Sequence, residues 1–184
     1  MKKIVWTFGL ISGGIISVLM LATLPFHDAI GFDRGLIVGY TTMVLAFLLI
    51  YFGVRSYRDN VGGGSIGFGR ALAVGALIAV ISSVCYTLTW QVIYYRLEPD
   101  FWTKYQTHEV SRMKASGASQ AVIDQRTADL QRMGESLKNP AVNVAMTFIE
   151  SLPVGLVIAL VSAAVLRRRR RVTGDDRSGV LVTG

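Results

Sequence analysis

The chain has 184 residues, of which 52% are hydrophobic and 17% charged, with a net charge of +7. A soluble domain carries roughly a quarter charged residues, so this composition argues against a single water-soluble core and for several membrane spans. The lone cysteine, Cys85, excludes an intrachain disulfide, and its place in an apolar run makes it a small buried hydrophobe.

Lys2 and Lys3 precede an apolar stretch from Ile4 to Leu24. The stretch is too long for the apolar region of an ordinary signal peptide, and no Ala-x-Ala site follows before Pro25 and Phe26. It reads as a retained first span, at about residues 4–24. Gly9, Gly13 and Ser17 recur at every fourth position, which lines small side chains along one helix face. In lipid such a seam lets neighbouring helices approach closely. His27, Asp28, Asp33 and Arg34 form a short polar turn, and His27-Asp28 reads as solvated. Span two follows at about residues 35–54, with Gly35 and Gly39 again four apart.

Arg55, Arg58 and Arg70 flank a glycine-rich loop. Gly62, Gly64 and Gly67 match a dinucleotide fingerprint by letters. No strand–helix unit brackets them and no Lys-Ser or Lys-Thr follows, so the segment reads as a membrane loop. Span three covers about residues 71–95, with small residues at Gly67, Ala71, Gly75, Ala79 and Ser83. Trp90, Tyr94 and Tyr95 gather at its far end, as an interface belt does.

Residues 96–139 are the long polar stretch between spans. Pro99 suits the first turn of a helix, and a helix to Ala115 is marked by Phe101, Trp102, Tyr105 and Met113. Ser116 to Ser119 supplies a glycine stop and a serine N-cap. A second helix should run to about Lys138, with Ile123, Leu130, Met133 and Leu137 on one side. The expectation is an antiparallel helical hairpin outside the bilayer, at about residues 99–138. The seven basic and six acidic residues of 96–139 nearly balance, which describes a solvated surface rather than a nucleic-acid patch. His108-Glu109 opens like a zincin motif, but the second histidine is missing, so no zinc site follows.

Span four begins after Asn139-Pro140 and runs over Ala141 to Leu166. At about 1.5 Å per residue it can cross a hydrocarbon core of roughly 30 Å. Ser151, Gly155, Ala159 and Ala163 form its seam. Arg167, Arg168, Arg169, Arg170 and Arg171 end it, and read as a stop-transfer block touching anionic lipid rather than nucleic acid. Residues 172–184 carry no periodicity and are expected to form a disordered cytoplasmic tail. The expected fold is therefore an all-α membrane protein: four transmembrane helices with an extracytoplasmic helical hairpin between spans three and four. Basic residues concentrate on the side shared by both termini, which puts the termini in the cytoplasm.

The residue that asks for chemistry is Glu150. An acid within a span is costly and usually faces the bundle or water. Pro153 takes away the N–H that the Ile149 carbonyl would accept, so a kink is expected beside it. Thr147 lies on the same helix, and Gln91 and Thr87 of span three and Tyr40 of span two should sit at similar depth. Glu150, Thr147, Gln91 and Tyr40 form the expected intramembrane polar site. No Ser-His-Asp, Cys-His or metal-ligand constellation is present in the sequence, so neither an enzyme nor a cofactor is expected.

Several short motifs stand in one order: Val54 to Asn60, Ile66 to Leu72, Pro99 to Tyr105, Lys114 to Ser119, Lys138-Asn139-Pro140 and Thr147 to Leu156. Together they resemble the bacterial domain-of-unknown-function family numbered 4199, over about residues 1 to 171. The resemblance implies a small multi-pass protein of the bacterial cytoplasmic membrane and no particular activity. Two functions follow from the residues. The first is a structural or interaction protein whose hairpin offers Phe101, Trp102 and Tyr105 to a protein partner or the membrane surface, although packing between the hairpin's own helices explains the same residues. The second is a small transporter or an ion- or pH-linked sensor built around Glu150. The seams serve contacts within one chain or between chains equally, so they leave the oligomeric state open.

Overall fold

A computed structural model describes residues 1–167. Among these the chain forms α1 (Lys2–Thr23), α2 (His27–Phe47), α3 (Leu49–Asn60), α4 (Phe68–Val92), α5 (Phe101–Ala115), α6 (Gln120–Leu137) and α7 (Pro140–Leu166). Four segments are long and apolar enough to cross a membrane: Lys2–Phe26, Ile30–Asn60, Phe68–Leu97 and Pro140–Leu166. The second joins α2 to α3 through Leu48, and the third extends α4 by a wide turn over Ile93–Leu97.

The small-residue seams decide how these helices pack. Cβ atoms added at Gly75 and Gly155 would lie 2.9 Å from the Cβ of Ala159 and 2.8 Å from that of Ala79. These pairs step in opposite directions, so α4 and α7 are antiparallel and nearly touch backbone to backbone. The same register sets Ser83 opposite Ser151, Thr87 opposite Thr147 and Gln91 opposite Asn143. Gly9 and Gly13 of α1 lie against Ile81 and Cys85 of α4, and the Ser17 and Thr89 hydroxyls are 2.7 Å apart, so α1 and α4 run parallel. Ser12 donates to the Ala46 carbonyl at 2.9 Å, tying α1 to the end of α2. These seams join helices of one chain. The spacing at Gly35 and Gly39 behaves differently: a Cβ at either meets nothing within 4 Å.

The spans alternate in direction, so Lys2, the α3–α4 turn and Arg167 share one end of the bundle. The dense core lies toward that end, where Phe47, Ile50, Val54, Val74 and Ile78 are fully buried. The glycine-rich turn closes α3: the N–H groups of Gly62 and Gly64 donate to the carbonyls of Tyr57 and Arg58, both at 3.0 Å. These bonds cap the helix.

At the other end α5 and α6 pack antiparallel across a short turn at Ser116 to Ser119. Trp102 lies over Gly134 and donates its indole N–H to the Leu130 carbonyl at 3.3 Å. One local expectation needs correction. The polar turn expected from His27 to Arg34 is helical except at Gly31, and a 3₁₀ turn at Leu24–Phe26 precedes it. The break falls instead at Gly31, with φ 71° and ψ 162°, a conformation that only glycine adopts readily. Pro153 lies inside α7, which is one helix from Pro140 to Leu166.

Candidate functional site

The site follows from the looseness of α2. Near Phe47 the helix packs on α7, with the Phe47 ring beside Gly155. Toward Gly35 nothing presses against it. A cavity of about 900 Å³ fills the difference, walled by α1, α2, α4 and α7 and roofed by α5 and α6. Its wall is mainly apolar and strongly aromatic, with Phe32, Tyr86, Trp90, Tyr94, Phe101 and Tyr105 among the lining residues.

Glu150 and Tyr40 face one another on this wall. The Tyr40 hydroxyl donates to Glu150 Oε1 at 3.0 Å, and both side chains are open rather than buried. Glu150 lies ten residues beyond Pro140, so at about 1.5 Å per residue it sits about 15 Å below the hairpin end of the span. No lysine, arginine or histidine nitrogen among the described residues comes within 4 Å of its carboxylate.

The other two expected residues belong to a separate buried group. Gln91 Nε2 donates to Asn143 Oδ1 at 3.0 Å, and the Thr147 hydroxyl donates to the Asn143 carbonyl at 2.8 Å. Asn143 in turn reaches the Leu137 carbonyl at 3.5 Å. Thr147 and Asn143 line the cavity, while Gln91 stays in the α4–α7 seam. The seam carries more polar groups than it satisfies: Ser83 Oγ, Thr87 Oγ1 and Gln91 Oε1 have no hydrogen-bond partner among the described residues. The structure thus brings Tyr40, Glu150 and Thr147 to one cavity and assigns Gln91 to helix pairing.

Sequence reasoning missed Asn143, Tyr86 and the whole roof. Asn143 was signalled by its spacing, four residues before Thr147 and eight before Ser151, which places all three on one face. The roof had no local signal, because it depends on how the hairpin docks. Phe32, just after the Gly31 break, meets Phe101 and Tyr105 with ring centroids 5.7 Å apart in both cases, and His108 at 5.2 Å. Trp90 meets Phe101 edge-on at 5.1 Å, and Tyr95 donates to the Leu137 carbonyl at 3.1 Å. Phe101, Trp102 and Tyr105 therefore face the bundle and one another.

The charges of the roof that line or border the cavity lie beside acids or bases. Asp33 lies 3.3 Å from Arg112 and 3.5 Å from His108. Lys104 lies 4.0 Å from Glu98, and Arg126 lies 3.9 Å from Glu109. At the opposite end Arg167 is exposed. Arg168, Arg169, Arg170 and Arg171, expected to contact anionic lipid, lie outside the described residues, as does the tail at 172–184.

The family profile described as Protein of unknown function (DUF4199) matches residues 7–168, nearly the range over which the motifs run. No curated protein matches the chain, and no solved structure does.

Proposed function

The chain belongs to the DUF4199 family, and for this member we propose an integral membrane protein that binds an amphipathic small molecule between its spans and the α5–α6 roof. The cavity carries the reading. Helix bundles are close-packed, with few voids larger than a water molecule. A space of about 900 Å³ falls within the range of ligand pockets, which is about 300–1,000 Å³. Its make-up is that of a binding site: apolar and aromatic walls with a few convergent polar groups, here Glu150, Tyr40, Thr147 and Asn143.

In this reading the protein sits in a bacterial cytoplasmic membrane with both termini inside and the hairpin outside. The support is the placement of Lys2, Lys3, Arg55, Arg58, Arg70 and Arg167 at the end of the bundle away from the roof. The function is ligand capture, for sensing or passage, rather than catalysis. A purely structural role leaves the cavity without a purpose. A partner-binding hairpin would need Phe101, Trp102 and Tyr105, which are engaged in the roof.

The test uses purified protein in lipid nanodiscs and the neutral fluorescent probe N-phenyl-1-naphthylamine, corrected against empty nanodiscs. Saturable binding is expected, and Gly39→Phe should remove it. Gly39 lines the cavity and has open space at its Cβ, so the new ring enters the void without displacing a helix. Absence of saturable binding, or binding that Gly39→Phe leaves unchanged, would refute the reading.

A further inference from the structure

We infer that the molecule held in this cavity is an organic cation, an amine or onium group on an apolar body, with its charge seated between Glu150 and the aromatic wall. The inference rests on the cavity reading above and goes further, because it fixes the ligand's charge.

The argument is a charge balance. Among the described residues three basic side chains line the cavity, and each lies within 4.0 Å of an acid: Lys104 of Glu98, Arg126 of Glu109 and His108 of Asp33, the last two acids being shared with Arg112. All three pairs lie at the roof. Glu150 is different. Its partner is the neutral hydroxyl of Tyr40, and no basic side chain among the described residues comes within 4 Å. An acid in apolar surroundings is costly unless it is paired. An incoming cation is the complement that the protein does not itself supply.

The walls agree with that choice. Tyr86 of α4 lines the same cavity as Glu150, and Trp90, Phe32, Tyr94, Phe101 and Tyr105 continue the aromatic surface to the roof. The face of an aromatic ring attracts a cation, more strongly where water is excluded. An anion of equal size would meet Glu150 and the negative ring faces, and the described basic residues of the lining lie at the roof beside acids. A neutral apolar molecule would fit by shape and gain nothing from the carboxylate.

The experiment sets two ions of like shape and opposite charge against the neutral probe. Tetraphenylphosphonium and tetraphenylborate are titrated against N-phenyl-1-naphthylamine bound to the native protein in nanodiscs, each corrected for its partition into empty nanodiscs. The cation should displace the probe at about one-tenth the concentration that the anion needs, or less. Glu150→Gln should abolish this preference, and a native-like unfolding midpoint and elution profile report that the variant is folded. Tyr40→Phe should keep most of the preference, since the carboxylate remains. Equal displacement by the two ions on the native protein would overturn the inference and leave the cavity reading standing. So would a preference that survives in a probe-binding Glu150→Gln protein. Should Glu150→Gln lose the probe as well, the native cation-to-anion comparison still decides. Failure of the native protein to bind the neutral probe would remove both readings together.

Discussion

The side-chain amide of Gln91 donates to Asn143 Oδ1 at 3.0 Å, and this bond closes the polar end of a seam that begins where Gly75 meets Ala159. Between those layers α4 and α7 keep one register, from close apolar contact to polar pairing. Small residues let the backbones approach, and the amides fix which turn faces which.

That pairing is testable as a coupling. Asn143→Ala should destabilise the protein by about 1–2 kcal/mol, because it strands the half-buried Gln91 amide and takes one of two side-chain donors from the Leu137 carbonyl. Gln91→Leu alone should cost less. The double variant should recover part of the loss, with a coupling of about 0.6 kcal/mol and no more than about 1.7 kcal/mol. Reversible unfolding in mixed micelles measures all three, and strict additivity would mean that the bond does not form.

The two kinds of glycine should respond in opposite ways. Gly75→Val places a branched side chain where a Cβ alone would already lie 2.9 Å from Ala159. Forcing α4 and α7 apart should cost about 1–3 kcal/mol or more. Gly39→Ala meets open space, and should be neutral or stabilise by up to about 1 kcal/mol through helix propensity. Thermal midpoints in detergent compare the two, and similar midpoints would contradict the packing described above.

Accessibility separates neighbours on α7. In a Cys85→Ala background, Glu150→Cys should react readily with a small cationic methanethiosulfonate reagent, because position 150 opens on the cavity. Ser151→Cys should be protected, since Ser151 is fully buried in the seam. Equal protection at both positions would mean that the cavity is closed to water and small reagents.

The docking of the roof depends on the break at Gly31, which delivers Phe32 into the rings of Phe101, Tyr105 and His108. Gly31→Val imposes a side chain on a backbone with φ 71° and should cost about 1–3 kcal/mol. Phe32→Ala should speed amide hydrogen exchange across α5 without affecting α4. Asp33→Asn should change exchange little, because its bridges to Arg112 and His108 are exposed and worth under about 1 kcal/mol. Unaltered exchange in α5 of Phe32→Ala would show that the aromatic contact does not hold the roof.

Much of the fold was legible because each level of the sequence agrees. Apolar length marked the spans, and the observed helices begin and end within a few residues of it at α1, α4 and α7. Ser116-Gly117 and Ser119 marked the turn between α5 and α6. The polar site was legible only in part. Glu150 and Tyr40 were found because each is polar inside an apolar run, and counting along antiparallel spans placed them at one depth. Gln91 has the same depth and a different neighbour, since depth fixes height in the bundle and not the direction a helix face turns.

The sequence alone determined the number of spans, their lengths, the small-residue stripes and the balance of charge, because these depend on composition and on the period of a helix. Tertiary structure decided which stripe would be used. The stripes of α1, α4 and α7 are spent on one another, while Gly35 and Gly39 of α2 are left facing a void. The physical reason is that a glycine seam permits close approach from either side, and only the arrangement of the other helices determines whether a partner arrives. The cavity, and the Glu150 carboxylate that meets no basic side chain within 4 Å among the described residues, follow from that choice.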